Sequence, residues 1–220
     1  MRSFAALAIA ANLALSSAAA IPAKRDTSLA SLIGVAQGIN AVSNSGSSAW
    51  IGNDGEYVTE FINTSGEDIE VVVWGSAGSW VNVAAPLISK TLSHGSSFNV
   101  SYASGASGAW SAVYEGTQLV NGQISNTWGE YTFNGEFSTF DVSRLPNMNG
   151  RNMTISGTEC KSNMETCVFT CDSGDVCTTG YNLLNCATGS QQGASSGTYN
   201  GAASGGCLVG TSTFVSTTFE

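Results

Sequence analysis

Residues 128–153 read WGEYTFNGEFSTFDVSRLPNMNGRNM, and no other stretch constrains the architecture as tightly. Tyr131 and Phe133 alternate with Glu130, Thr132 and Asn134, a period of two that suits a strand with one buried face. Asn134-Gly135 supplies two residues that tolerate positive φ, the requirement of a two-residue type I′ turn. Residues 137–142 then carry the chain back. In that register Glu130 lies opposite Thr139, with Asp141 its diagonal neighbour on the same face, about 7–8 Å away. Tyr131 and Phe140 point to the other face, into a core. Two carboxylates so placed can line a groove, which makes this hairpin the first place to look for a site.

Other strands extend outward from it. Residues 57–63 and 69–74 flank the turn cluster TSGED and form an expected hairpin. The run IEVVVW within it is nearly all apolar or β-branched, as befits a central strand. Phe98, Val100 and Tyr102 share one face of a further strand, residues 110–114 form another, and residues 118–125 make a short hairpin around Asn121-Gly122. RNMTIS (residues 151–156) turns Met153 and Ile155 inward, and residues 208–219 supply a last strand or pair. Many short strands spaced by turn signals indicate an all-β, antiparallel β-sandwich rather than alternating helices and strands.

Upstream, Leu29, Leu32, Ile33, Ala36 and Ile39 follow a short helical period that Thr27 or Ser28 can cap. Gly34 and Gly38 weaken it, and SNSGSS (residues 43–48) reads as a linker. Residues 26–48 are therefore expected to form an arm outside a β domain that spans residues 49–220. Residues 1–20 read as a signal peptide: Arg2, an apolar centre over residues 4–15, and small residues at Ala18-Ala19-Ala20. Residues 21–25 form a short propeptide ending in the dibasic pair Lys24-Arg25.

The chain has 220 residues, 42% hydrophobic and only 10% charged, with a net charge of −9. Cleavage after Arg25 leaves four basic residues against sixteen acidic ones, a charge of −12. Such acidity argues against nucleic acid and anionic membranes, which recruit positive charge. No apolar run downstream of the leader is long enough to span a bilayer. A secreted, extracellular monomer is the expectation, and sequons at Asn63, Asn99 and Asn152 agree with it.

All six cysteines (Cys160, Cys167, Cys171, Cys177, Cys186 and Cys207) fall in the last third of the chain. In an oxidising pathway they read as three disulfides stapling a loop-rich region, residues 160–207, with the connectivity left open. Zinc ligation fails on spacing, since no CxxC pair occurs, and no metal or cofactor is expected. His94, alone in the turn LSHGSS, has no GxSxG nucleophile to serve. The tryptophans fit a core, except Trp80 in GSAGSWVN, which is expected to be partly exposed and available to a ligand. Glu130 and Asp141 remain the candidate catalytic pair, with Glu136 as a further ligand-binding candidate and Glu115 as a possible neighbour. An expected separation of about 7–8 Å falls within the 6.5–9.5 Å that an inverting glycosidase uses.

The segments FINTSGEDIEVVVWGS, LSHGSSFNVSYASGASGAWSA, WGEYTF and TFDVSRLPNMNGRNMTI, in that order, resemble the strand series of thaumatin-like proteins. The likeness is strongest to a small secreted fungal branch that includes hypersensitive-response-inducing elicitors. It implies a sandwich of about eleven strands with a disulfide-rich region beside it, and an acidic cleft in which Glu130 and Asp141 take the glutamate and aspartate positions. The arginine expected near Ala112 is missing, and Pro146 stands where another aspartate is expected. The implied function is a non-catalytic effector perceived by a plant receptor or apoplastic protein, located in the apoplast or fungal cell wall. The alternatives are a β-1,3-glucan binder or a weak endo-β-1,3-glucanase using Glu130 and Asp141.

Overall fold

Two β-sheets face one another across an aromatic core in the computed structural model, which describes residues 28–75, 85–210 and 213–220. The leader, the propeptide and Trp80 lie outside the described residues. Helix α1 (Leu29–Leu32) comes first, followed by β1 (Ala49–Ile51), β2 (Tyr57–Asn63), β3 (Ile69–Gly75), β4 (Ile88–Leu92), β5 (Ser97–Tyr102) and β6 (Ala106–Val113). Then come β7 (Leu119–Val120), β8 (Gln123–Ile124), β9 (Trp128–Phe133), β10 (Thr139–Ser143), β11 (Met153–Ser156) and β12 (Lys161–Ser162). The last third adds β13 (Val168–Cys171), β14 (Tyr181–Leu184), β15 (Ala194–Tyr199), β16 (Ala202–Leu208) and β17 (Phe214–Phe219). The smaller sheet has six strands in the order β1-β5-β2-β17-β11-β12, and the larger has nine, with β14-β13-β10-β9-β6-β3-β4 as its main path. The all-β class follows. Most ladders are antiparallel, but β2 with β17 and β10 with β13 run parallel.

The expected hairpin of residues 57–63 with 69–74 does not form. β2 pairs with β5 and β17 in the smaller sheet, while β3 pairs with β4 and β6 in the larger. The reason lies in IEVVVW, every residue of which is buried. A strand apolar on both faces needs cover on both faces, and only the centre of a covered sheet provides it. The turn between β2 and β3 therefore crosses from one sheet to the other. Asn63 clamps this corner: its amide donates to the carbonyls of Glu67 and Leu92 at 2.8 Å each, and its Oδ1 accepts from Ser65 N at 3.0 Å. Fully buried and so engaged, Asn63 leaves no room for the glycan its sequon invites. Asn152 is exposed and Asn99 half-buried.

Between the sheets, Trp110 stacks on Tyr131 at 5.3 Å, Tyr131 on Phe133 at 5.0 Å, and Phe133 on Tyr57 at 4.9 Å. Aromatic pairs at such distances add to the energy of simple burial. This core also explains the second departure. The Asn134-Gly135 turn is not type I′: Asn134 keeps φ at −145°, and Gly135–Phe137 form a short 3-10 turn. Tyr57, held by its stacking on Phe133, accepts a hydrogen bond from Gly135 N at 2.9 Å, and Ser138 Oγ accepts from Asn134 N at 2.8 Å. These bonds draw the longer loop shut. The Asn121-Gly122 pair, by contrast, takes φ of 54° and 78° and joins β7 to β8 as the sequence predicts.

α1 is shorter than the helical period suggests, and it does not stand apart. Ser28 caps it, accepting from Ser31 N. Ala30 and Val35 are buried against Val72, Trp74, Ala109, Val113 and Trp128 on the outer face of the larger sheet, together with Ile124 of β8. The Ala30 N–H donates to the buried carboxylate of Glu70 at 2.8 Å. The last third is cross-linked by Cys160–Cys207, Cys167–Cys186 and Cys171–Cys177. No helix among the described residues is long and apolar enough to cross a membrane.

Candidate functional site

Alternation along β9 sends Tyr131 and Phe133 into the core and Trp128, Glu130 and Thr132 to the opposite face. On β10 it sends Phe140 and Val142 inward and Thr139, Asp141 and Ser143 outward. The five-residue connection sets the register: Asp141 lies directly opposite Glu130, and Thr139 opposite Thr132. This corrects the diagonal relation expected from a two-residue turn. Directly opposed residues bring Cβ atoms to about 4.5–5.5 Å, and like charges there repel.

The sheet forks at this point. Along one edge of β10, Thr139 and Phe140 pair with Leu208 and Cys207 of β16, whereas Val142 and Ser143 pair with Val168 and Phe169 of β13. Asp141 sits where the pairing passes from one branch to the other. Gly206 makes the approach of β16 possible, since a Cβ there would stand 2.8 Å from Phe140 O and 3.3 Å from the Asp141 Cβ. Gly129 is similarly constrained on β9, where a Cβ would meet Trp110 Nε1 at 2.2 Å.

Above the fork lies a groove of about 650 Å³, within the range of small-molecule sites. Glu130 and Asp141 line its floor, Ser107, Thr132, Thr139 and Ser204 contribute hydroxyls, and Phe169, Tyr181 and Tyr199 bring rings from the two branches. Tyr181 packs edge-on against Phe169 at 5.8 Å, and Tyr199 is 72% exposed. No Lys, Arg or His lines the groove among the described residues. Asp141 is only 6% exposed, and its Oδ1 has no hydrogen-bond partner. Burial pushes the Asp141 carboxyl well above the usual range, and the charge of Glu130 pushes it further. Burial also raises Glu130, with the Ser143 hydroxyl acting in the opposite direction. The two titrate as a pair that holds a proton beyond the pH at which free carboxyls lose theirs.

Other candidates fall elsewhere. Glu136 is exposed on the 3-10 turn and does not line the groove. Glu115 borders a smaller polar pocket of about 210 Å³ with Glu67, Tyr114 and Arg151. His94 Nδ1 accepts from Gly66 N at 3.1 Å, a turn-to-turn bond. Trp50, Trp74, Trp110 and Trp128 are buried. Pro146 does line the groove, while Ala112 faces the inner core, where a side chain cannot reach the groove. The sequence reading missed Phe169, Tyr181 and Tyr199. The signal available was three aromatics within a segment otherwise too poor in apolar residues to build a core.

Residues 44–203 match the model of the Allergen Asp f 4-like domain. No curated protein matches the chain. Among solved structures, the crystal structure of the protein elicitor MoHrip2 from Magnaporthe oryzae aligns over 74% of this chain and 98% of its own, at 15% identity and a TM-score of 0.37.

Proposed function

The chain belongs to the Allergen Asp f 4-like domain family, and on that premise we propose that it is a secreted, non-catalytic, effector- or elicitor-like protein that works by binding, with the acidic groove as its ligand site. The observation that carries this reading is the Glu130–Asp141 pair, opposed on adjacent strands at the groove floor with Asp141 buried and its Oδ1 unsatisfied. A buried acceptor without a donor is costly, and a ligand that supplies the donor recovers that cost. Three disulfides suit an extracellular protein. Release by cleavage after Arg25, glycans on Asn99 and Asn152, an apoplastic or cell-wall location and perception by a plant surface receptor belong to the same proposal. So does a thaumatin-like scaffold, supported by the order of the segments and by the acidic groove on the sheet face.

Binding is favoured over turnover by geometry. Glycoside hydrolysis places its carboxyls on either side of the scissile bond, about 5–5.5 Å apart for retention and 6.5–9.5 Å for inversion, so it is their placement rather than their separation that decides. Here they stand side by side on one sheet, with Pro146 where a third carboxylate is expected. A second reading, a β-1,3-glucan binder, is favoured by the hydroxyls and exposed ring of the groove wall. Laminarin pull-down and reducing-sugar release, run on the wild type beside Glu130→Gln, separate the cases. The expected result is retention weakened in the variant and no sugar release from either protein. Release by the wild type that vanishes in Glu130→Gln makes the pair catalytic and overturns the proposal.

A further inference from the structure

We infer that the groove takes an amino sugar oligomer, seating a protonated amine of the saccharide between Glu130 and Asp141. The inference rests on the groove being the ligand site proposed above, and it names the chemistry of the occupant. Two carboxyls directly opposed on neighbouring strands repel when both are ionised. Among the described residues, no basic side chain lines the groove to compensate them. Arg144, the residue that follows β10, donates instead to the carbonyls of Met148 and Met164. Asp141, nine-tenths buried, keeps Oδ1 without any donor.

By itself the pair relieves the repulsion by holding a proton. A neutral hydroxyl can donate to Asp141 but leaves that charge problem in place. An ammonium group donates to both carboxyls and supplies the missing positive charge, and such charge-assisted bonds are the strong ones. The rest of the groove calls for a saccharide rather than a lone alkylamine. Its volume of about 650 Å³ far exceeds that of one lysine side chain, Ser107, Thr132, Thr139 and Ser204 offer hydroxyls, and Tyr199 offers an exposed ring on which a sugar face can stack.

Binding therefore strengthens as pH rises from the acid side and the pair loses its proton, then weakens once the amine loses its own. The other titratable groups lining the groove are Tyr131, Tyr181 and Tyr199; Tyr131 directs its hydroxyl to Trp74 O, at 3.2 Å. Cys177 is in a disulfide.

Calorimetry on the full secreted protein tests the inference with four probes: a tetramer of glucosamine, its fully N-acetylated counterpart, a β-1,3-glucose tetramer and lysine amide. The glucosamine tetramer is expected to bind roughly ten- to a hundredfold more tightly than either neutral tetramer, the range of a charged hydrogen bond. Proton release should appear as an observed enthalpy that varies with the ionisation enthalpy of the buffer. Asp141→Asn and the more exposed Glu130→Gln, each checked for native circular dichroism, should abolish that preference, while Glu136→Gln outside the groove should leave it intact. Equal binding of the neutral tetramers, lost in Asp141→Asn, overturns the ammonium assignment and leaves the groove as a glycan site. A preference that survives Asp141→Asn assigns it to surface charge and overturns the inference. Lysine amide binding as well as the tetramer overturns the saccharide. Failure of every probe removes the groove reading as well.

Discussion

The outer face of the larger sheet is one surface with two fates. Over β3 and the adjoining part of β6 it is covered: Val72, Trp74, Ala109 and Val113 lie under α1, Val35 and the β7–β8 hairpin. Over β9 and β10 it stays open, and the groove forms there. The dividing line runs along β9, between Trp128 and Glu130. Outward side chains on the covered side are apolar except Ser111, which donates to Thr127 O, and Glu70, which accepts from the lid's own Ala30 N–H. Those on the open side are Ser107, Glu130, Thr132, Thr139 and Asp141, for which burial under an apolar lid is unfavourable. The means of support differ too. Packing holds the covered half, and disulfides hold the two branches that wall the open half.

That contrast can be broken most forcefully by reduction. Chain-entropy estimates for loops spanning 47, 19 and 6 residues give about 4, 3 and 2 kcal/mol for the three cross-links. Reduction should therefore raise hydrogen exchange in β13–β16 well before β3 and β6, and the native protein should show no free thiol. Simultaneous loss of protection in both halves would remove the distinction.

Trp128→Ala should be nearly as severe. The ring is fully buried, edge-on to Trp74 at 4.9 Å, and donates to Ile124 O at 2.9 Å. A loss of about 3–5 kcal/mol in denaturant unfolding is expected. A cost below about 1 kcal/mol, the size of a tolerated repacking, would show that the covered half is not a core.

A smaller effect should come from Glu70→Ala, which deprives the Ala30 N–H of its acceptor. About 1–3 kcal/mol is at stake, and the sharper readout is proteolysis in residues 31–40. Cleavage no faster than in the wild type would mean that the lid is held by other contacts.

The smallest expected effect lies at the open half. Asp141 and Glu130 have raised pKa values in the folded protein, so the folded state binds more protons than the unfolded one above pH about 4. The resulting stabilisation is complete below that pH and fades as pH rises through the folded-state range. Asn at position 141 does not titrate. Asp141→Asn should therefore gain on the wild type steadily with rising pH, within about 1 kcal/mol at the start of that range. A stability difference independent of pH would contradict the coupled pair.

The open half was the less legible of the two. Alternation in WGEYTF and TFDVS marks which residues leave the core, because side-chain direction along a strand is a local property. It also marks Glu130 and Asp141 as sharing a face. The turn between them was not legible. Asn121-Gly122 and Asn134-Gly135 are the same dipeptide, yet only the first makes the expected turn. β7 and β8 pair only with each other, so local preference prevails there. At Asn134 the hydroxyls of Tyr57 and Ser138 override it. The aromatics of the groove escaped notice for the same reason, since nothing local brings Phe169, Tyr181 and Tyr199 to Glu130.

Composition and alternation thus suffice for an all-β chain with oxidised cysteines and an acidic pair on one strand face. Spacing does not extend to pairing. Only the tertiary structure moves β2 and β3 into different sheets, selects one of the possible disulfide connectivities, lays α1 on the sheet and divides the edge of β10 between β13 and β16. Each of these outcomes joins residues distant in the chain. A strand's own sequence records which face it buries, whereas its partner is chosen by whichever surfaces are left to cover.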